Sequence, residues 1–125
     1  MSQGHIFIID DDPMIRFLVQ EYLKAADFTV DAFGSGGEAL TALAPSLPDL
    51  ILLDLQMPQM NGFEVLEKLR ADESTAHIPV LMLSANAADA RSMSSLQPNG
   101  YLEKPFQMQE LLAAVQANKA GSLSN

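Results

Sequence analysis

The sequence predicts an α/β domain in which a parallel sheet is covered by helices on both faces. Four apolar runs carry that reading, because each ends in a polar residue able to do chemistry. Ile6-Phe7-Ile8-Ile9 runs into Asp10-Asp11, Leu50-Ile51-Leu52-Leu53 into Asp54, Val80-Leu81-Met82-Leu83 into Ser84, and Tyr101-Leu102 into Glu103-Lys104. Open α/β sheets bind ligands in the crevice outside the carboxyl ends of their strands, so three carboxylates, a hydroxyl and an ammonium converge there. The second observation is that these runs alternate with stretches of helical periodicity, the signature of strand–helix units.

Taken in order, Asp12-Pro13 after the first run gives a side-chain cap followed by proline at the first helical position. Ile15, Leu18, Val19 and Tyr22 then recur at helical spacing. Phe28 to Phe33 alternates as a second strand. Gly36-Gly37 opens a short helix carrying Leu40 and Leu43, bounded by Pro45 and Pro48. The run at 50–53 is apolar at every position, as a strand covered on both faces must be. Gly62 begins a helix with Phe63, Leu66 and Leu69 on one stripe, and Ile78 to Leu83 follows as a buried strand with Pro79 near its start. Ala85 to Leu96 predicts a weak helix, diluted by Asn86, Ser92, Ser94 and Ser95. A turn at Pro98-Asn99-Gly100 precedes the short strand Tyr101-Leu102. Met108, Leu111, Leu112 and Val115 lie at i, i+3, i+4 and i+7, which predicts a last helix with one face on the sheet. Residues 1–119 form the expected domain, and 120–125 a flexible tail or the start of a linker.

At 125 residues the chain has room for one domain with its own core. A formal charge of −9, with only seven Lys and Arg, argues against direct binding to nucleic acid or to an anionic membrane. No stretch has the length and apolarity of a membrane span, and no basic segment leads into a long apolar one near the N-terminus, so a cytoplasmic location is expected. With no cysteine and two scattered histidines, disulfides, thiol catalysis and zinc are disfavoured. Oxygen ligands remain the natural choice for a metal.

Strand ends that bring Asp10, Asp11 and Asp54 together create an electrostatic problem. Two like charges about 4 Å apart repel by roughly 4 kcal/mol at an effective dielectric near 20. Lys104 supplies one offsetting charge, and a divalent cation would supply the rest. A partly filled all-oxygen site suits magnesium, with manganese as a substitute. A metal beside a carboxylate, with an ammonium and a hydroxyl able to bind non-bridging oxygens, describes phosphoryl transfer to an aspartate. Asp54, alone on the central strand, is the expected nucleophile. The tandem Asp10-Asp11 has the spacing to reach a metal directly and through water, Ser84 to bond a phosphoryl oxygen, and Lys104 to balance its charge.

These motifs resemble the response-regulator receiver family. Ile8-Ile9-Asp10-Asp11-Asp12-Pro13, the stretch from Asp54 through Gln56, Met57, Pro58 and Asn61 to Gly62, Ser84-Ala85 and Lys104-Pro105-Phe106 stand in that family's order and approximate spacing. The resemblance runs from about His5 to Lys119. It implies a flavodoxin-like doubly wound sandwich with five parallel strands ordered 2-1-3-4-5 and five helices. It implies that Asp54 accepts a phosphoryl group from a phosphohistidine on a histidine kinase or a histidine phosphotransfer protein. Magnesium would be held by Asp11, Asp54 and the backbone carbonyl of Gln56, with Asp10 acting largely through water. Ser84 and Tyr101 look like the switch pair that signals to a downstream protein or output domain, and Gln56 and Asn86 occupy the places that tune dephosphorylation. The Lys104–Pro105 bond is commonly cis in such proteins. The chain would catalyse only its own phosphorylation and dephosphorylation, without being an enzyme in the ordinary sense. It departs from the family pattern between Ser84 and Lys104, where the segment looks short and Gln97-Pro98-Asn99-Gly100 replaces the usual small residues.

Plainer roles compete at several positions. Asp12 is a helix cap and not a ligand. Met57 and Met60 pack the loop, while Pro58 and Gly62 shape it. His5 and His77 are surface residues, and Arg16, Arg70 and Arg91 lie on solvated helix faces. Two other functions compete with the receiver reading. A haloacid-dehalogenase-like phosphatase also uses a strand-end aspartate, a hydroxyl, a lysine and magnesium, but places metal-binding acids after the lysine, where only Glu110 follows here. A phosphorylation-independent interaction domain would keep the fold without the complete set of site residues.

Overall fold

The computed structural model describes residues 3–43 and 46–119. Five strands, β1 (His5–Ile9), β2 (Thr29–Phe33), β3 (Leu50–Asp54), β4 (Val80–Ser84) and β5 (Gly100–Glu103), alternate with five helices. The helices are α1 (Pro13–Ala25), α2 (Gly36–Thr41), α3 (Gly62–Ala71), α4 (Ala87–Ser92) and α5 (Met108–Asn118). All neighbouring strands are parallel, in the order β2-β1-β3-β4-β5. This is the doubly wound, flavodoxin-like arrangement that the sequence predicts.

The period of two along the strands divides the core into two layers. Phe7, Ile9, Ile51, Leu53, Val80 and Met82 face one side, where Ala39 of α2, Val65, Leu66 and Leu69 of α3 and Ala90 of α4 cover them. Ile6, Ile8, Leu50, Leu52, Leu81 and Leu83 face the other, under Val19 and Leu23 of α1 and Leu111 and Val115 of α5. Burying each such Ile or Leu side chain contributes roughly 1.5–3 kcal/mol. The three central strands are therefore held rigidly, and their polar C-terminal residues inherit that rigidity.

Helix ends are fixed by identifiable bonds. Asp12 caps α1 by accepting from the Met14 amide, with Pro13 at the first position. The other end of α1 closes with Asp27 in the left-handed region (φ 69°), while the Asp27 and Phe28 amides donate to Lys24 and Leu23. Asn61 and Glu64 form a reciprocal capping box on α3. A Cβ at Gly62 would lie 2.7 Å from the Asp54 carbonyl oxygen and from Met82 Sδ, so only glycine lets α3 start against the end of β3. The loop between β3 and α3 turns at Gln59 (φ 69°), where the Met60 amide donates to Pro58 O over 2.7 Å, a γ-turn.

Some element limits differ from those the sequence predicts. The weak helix expected over 85–96 spans only Ala87–Ser92. Asn86 is its cap, and beyond it the serines bond locally: Ser92 Oγ donates to Asp89 O and Ser94 Oγ accepts from the Leu96 amide. Such bonds compete with the helix ladder. Phe28 precedes β2 and closes α1, while Ile78 and Pro79 precede β4, Ile78 donating its amide to Thr75 O. The expected boundary at Pro45 and the expected tail at 120–125 lie outside the described residues.

Of the three arginines expected on solvated faces, Arg91 is exposed while Arg16 and Arg70 are partly buried, and each makes a specific contact. Arg70 is half-buried, its Nη1 donating to Ala76 O and Ile78 O and its Nη2 to Asn99 Oδ1. Arg91 lies over the Tyr101 ring, 4.8 Å from its centroid. Arg16 donates Nη1 to Asp10 O at 2.8 Å. A long cationic side chain finds backbone acceptors that helical periodicity alone does not reveal. His5 likewise pairs Nε2 with Asp31 Oδ2 at 2.7 Å and sets its ring edge-on to Phe7, away from the acidic cluster.

Candidate functional site

The C-terminal ends of β1, β3, β4 and β5 open on one cleft of about 310 Å³. Asp10, Asp11, Asp12, Asp54, Gln56, Ser84, Ala85 and Lys104 line it. Asp10 is fully buried and Asp54 is 5% exposed, whereas Asp11 faces solvent. One carboxylate oxygen from each of Asp10, Asp11 and Asp54 lies within 4.8 Å of the other two. Lys104 Nζ bridges the inner pair, donating to Asp10 Oδ2 at 2.8 Å and Asp54 Oδ1 at 2.9 Å.

Burial pushes the Asp54 carboxyl up from 3.8 to about 6, and the charges of Asp10 and Asp11 add to the rise. The hydrogen bond and charge of Lys104 offset part of it. Burial pulls the Lys104 ammonium down, yet it ends above its usual value because two carboxylates hold it. The ammonium gains two opposite charges; Asp54 gains one and meets two of its own sign. Ion pairing thus favours the charged lysine, while the carboxylate at the centre is left under-compensated.

Backbone and side-chain bonds fix the acidic loop. Asp10 Oδ1 accepts from the Asp12 amide at 2.9 Å, and the Asp10 amide donates to Phe33 O. Arg16 holds the Asp10 carbonyl from α1 and packs against the next loop, where a Cβ at Gly34 would lie 3.1 Å from its Nη1. Sequence reasoning misses this role of Arg16. The available signal is a cation within the first helical turns, where the helix dipole disfavours one unless it serves an acceptor.

Of the expected site residues, Asp10, Asp11, Asp54, Gln56, Ser84 and Lys104 meet at the cleft, and Asn86 and Tyr101 do not line it. Ser84 Oγ is engaged with its own loop, donating to Asn86 O and accepting from the Asn86 amide, both at 3.1 Å. Asn86 Oδ1 accepts from the Asp89 amide as the cap of α4. Tyr101 points its phenol away from the cleft, to Gln97 Oε1 at 2.6 Å. Partial burial raises the phenol's pKa, with Arg91 pulling the other way. Glu103 accepts from the Ala87 amide and so ties β5 to α4. The Lys104–Pro105 peptide is cis.

A sequence model of the response regulator receiver domain matches residues 6–116. The chain belongs to that family. It is 42% identical over 114 residues to the DNA-binding dual master transcriptional regulator RpaA of Synechocystis, a match covering 90% of this chain and 47% of that protein. Among solved structures, the chemotaxis response regulator CheY4 of Vibrio cholerae superposes with a TM-score of 0.85 at 29% identity, covering 92% of this chain and 98% of the other. The receiver domain of the Pseudomonas aeruginosa sensor histidine kinase PA1611, described with magnesium in its active-site cleft, gives 0.83 at 26%, covering 92% and 96%. The receiver described here spans about half the length of the curated relatives it matches. Receiver domains belong to two-component signalling and are not enzymes of the ordinary kind, so the family takes the place of the phosphatase alternative. Among the described residues no helix is long and apolar enough to cross a membrane.

Proposed function

We propose that this receiver takes a phosphoryl group onto Asp54 from a phosphohistidine of a sensor kinase or histidine phosphotransfer protein. It would then switch at Ser84 and Tyr101 to signal to a downstream protein or output domain. The observation that carries the reading is the under-compensated carboxylate: Asp54 is nearly buried, bonded to Lys104, and within reach of two further carboxylates. A structural ion pair has no need of three acids around one ammonium.

The donor set fits a magnesium ion. Three carboxylates against one lysine leave a surplus of two negative charges when all are ionised, all the donors are hard oxygens, and the cleft has room for water and phosphate. Asp11, Asp54 and the Gln56 carbonyl would hold the ion, with Asp10 contributing through water, and manganese would substitute. When bound, the ion screens the negative charge that gathers on the phosphoryl oxygens.

Asp54 attacks phosphorus with its free carboxylate oxygen while the nitrogen–phosphorus bond of the donor breaks. The electron pair returns to the imidazole, which takes up a proton, and Asp54 becomes an acyl phosphate. Lys104 exchanges its bond to Asp54 Oδ1 for one to a phosphoryl oxygen, keeping a charge-assisted contact throughout. Ser84 Oγ leaves Asn86 to donate to another phosphoryl oxygen. Hydrolysis reverses the state, as water attacks phosphorus, the oxygen–phosphorus bond breaks and inorganic phosphate leaves. Gln56, exposed at the cleft wall, can orient that water but cannot deprotonate it. Asn86 stands outside the cleft lining with Oδ1 capping α4, and would use its Nδ2 donors to reach that water. The location is cytoplasmic in this reading, and the acidic domain itself does not bind nucleic acid.

Intact-mass measurement after incubation with acetyl phosphate tests the proposal. A phosphoryl adduct that needs magnesium or manganese is expected. An equal adduct in Asp54→Asn would sink the assignment.

A further inference from the structure

The segment between α4 and β5 is irregular, yet its side chains close a ring. The Tyr101 ring packs against the core layer that holds Met82 and Ala90, and its phenol donates to Gln97 Oε1 at 2.6 Å. Gln97 Nε2 in turn donates to Arg91 O at 3.1 Å and to Ser94 O. Arg91 returns to the start of the ring by setting its guanidinium over the Tyr101 face, 4.8 Å from the centroid. One glutamine amide therefore uses three of its four hydrogen-bonding sites to join the end of α4 to the tip of Tyr101. The segment is anchored separately at Asn99, whose Oδ1 accepts from the Val80 amide and from Arg70. Gln97 can thus release Tyr101 without releasing β5.

Ser84 does not share this ring. Its hydroxyl is occupied with Asn86, so the two halves of the proposed switch are restrained by different partners. We propose that Gln97 is a latch: it holds Tyr101 outward in the unphosphorylated receiver, with Arg91 bracing the ring, and thereby sets the threshold at which the domain switches. The inference rests on the phosphoacceptor reading for its consequence, though not for its geometry. A ligand that favours the inward state must supply whatever free energy the outward contacts contribute. Loss of the latch then raises the inward population and tightens that ligand.

Fluorotyrosine-labelled full-length protein provides the test, because Tyr22 is the only other tyrosine and serves as an internal reference. Gln97 is exposed, so Gln97→Ala removes the phenol acceptor without opening the core. Gln97→Glu keeps an acceptor at the same reach. In the unliganded protein, the solvent-isotope shift of the Tyr101 fluorine should shrink in Gln97→Ala as the ring turns inward, and lie between that value and the wild type in Gln97→Glu, which keeps the phenol acceptor but loses the two donors to Arg91 O and Ser94 O. Beryllofluoride with magnesium should bind Gln97→Ala about two- to ten-fold more tightly than wild type, the range expected for one neutral hydrogen bond. An unchanged fluorine signal in Gln97→Ala, or unchanged or weaker beryllofluoride binding, overturns the latch. If wild type binds no beryllofluoride the phosphoacceptor reading fails instead, and the fluorine signal of the unliganded variants still decides the latch.

Discussion

Replacing Asp54 by asparagine should make the metal-free protein more stable at neutral pH, by an amount that vanishes in acid. The folded protein holds this carboxyl at about 6, against an ordinary value of 3.8. Between those values the folded state binds more protons than the unfolded chain, so stability falls as pH rises through that window. At 1.36 kcal/mol per pKa unit the full penalty at pH 7 is roughly 3 kcal/mol, and local relaxation makes about 1–3 kcal/mol the expected gain for the neutral isostere. Asparagine keeps an acceptor for Lys104 while shedding the burial penalty and the repulsion from Asp10 and Asp11, which together raise the carboxyl. Urea unfolding of both proteins in chelator, from pH 4 to 7.5, measures this directly. The two curves should converge near pH 4 and separate above pH 6, with the variant more stable. Magnesium should stabilise the wild type at pH 7 and narrow the gap, because it binds the folded state alone. A variant less stable at pH 7, or a gap independent of pH, would refute the electrostatic account of the site.

Arg16→Ala should weaken magnesium binding several-fold by calorimetry while leaving the helix signal in circular dichroism unchanged, since it frees the Asp10 carbonyl without opening the core; intact affinity would show the contact to be ornamental. Replacing Gln56 with lysine or leucine should change the lifetime of the acyl phosphate by roughly ten-fold, through the placement of the attacking water and not through proton transfer. Decay at the wild-type rate in both would remove Gln56 from that role.

The parallel sheet was legible because the apolar runs of the three central strands each end in a reactive polar residue, whereas the strand order came from the family resemblance and not from the pattern. Buried backbone and unpaired charge leave few alternatives. The gathering of Asp10, Asp11, Asp54 and Lys104 follows from the same rule, since parallel strands deliver their C-terminal residues to one edge. Arg16 was invisible because its acceptor is a backbone carbonyl, which carries no residue identity. The shortening of α4 was only half legible. The serines announced a weak helix, but the stop after Ser92 depends on which hydroxyls turn back on the chain. The Gln97–Tyr101 contact depends on the path of an irregular segment, for which period and propensity give no register.

Borohydride trapping tests the central claim most directly. An acyl phosphate is reduced to the corresponding alcohol, which marks the phosphorylated side chain permanently, and peptide mass mapping then locates it. After phosphorylation in magnesium, the mark should fall on Asp54 alone and be absent when magnesium is chelated. A mark on Asp10 or Asp11, or none under conditions that give a phosphoryl adduct, would contradict the assignment of Asp54 as the acceptor.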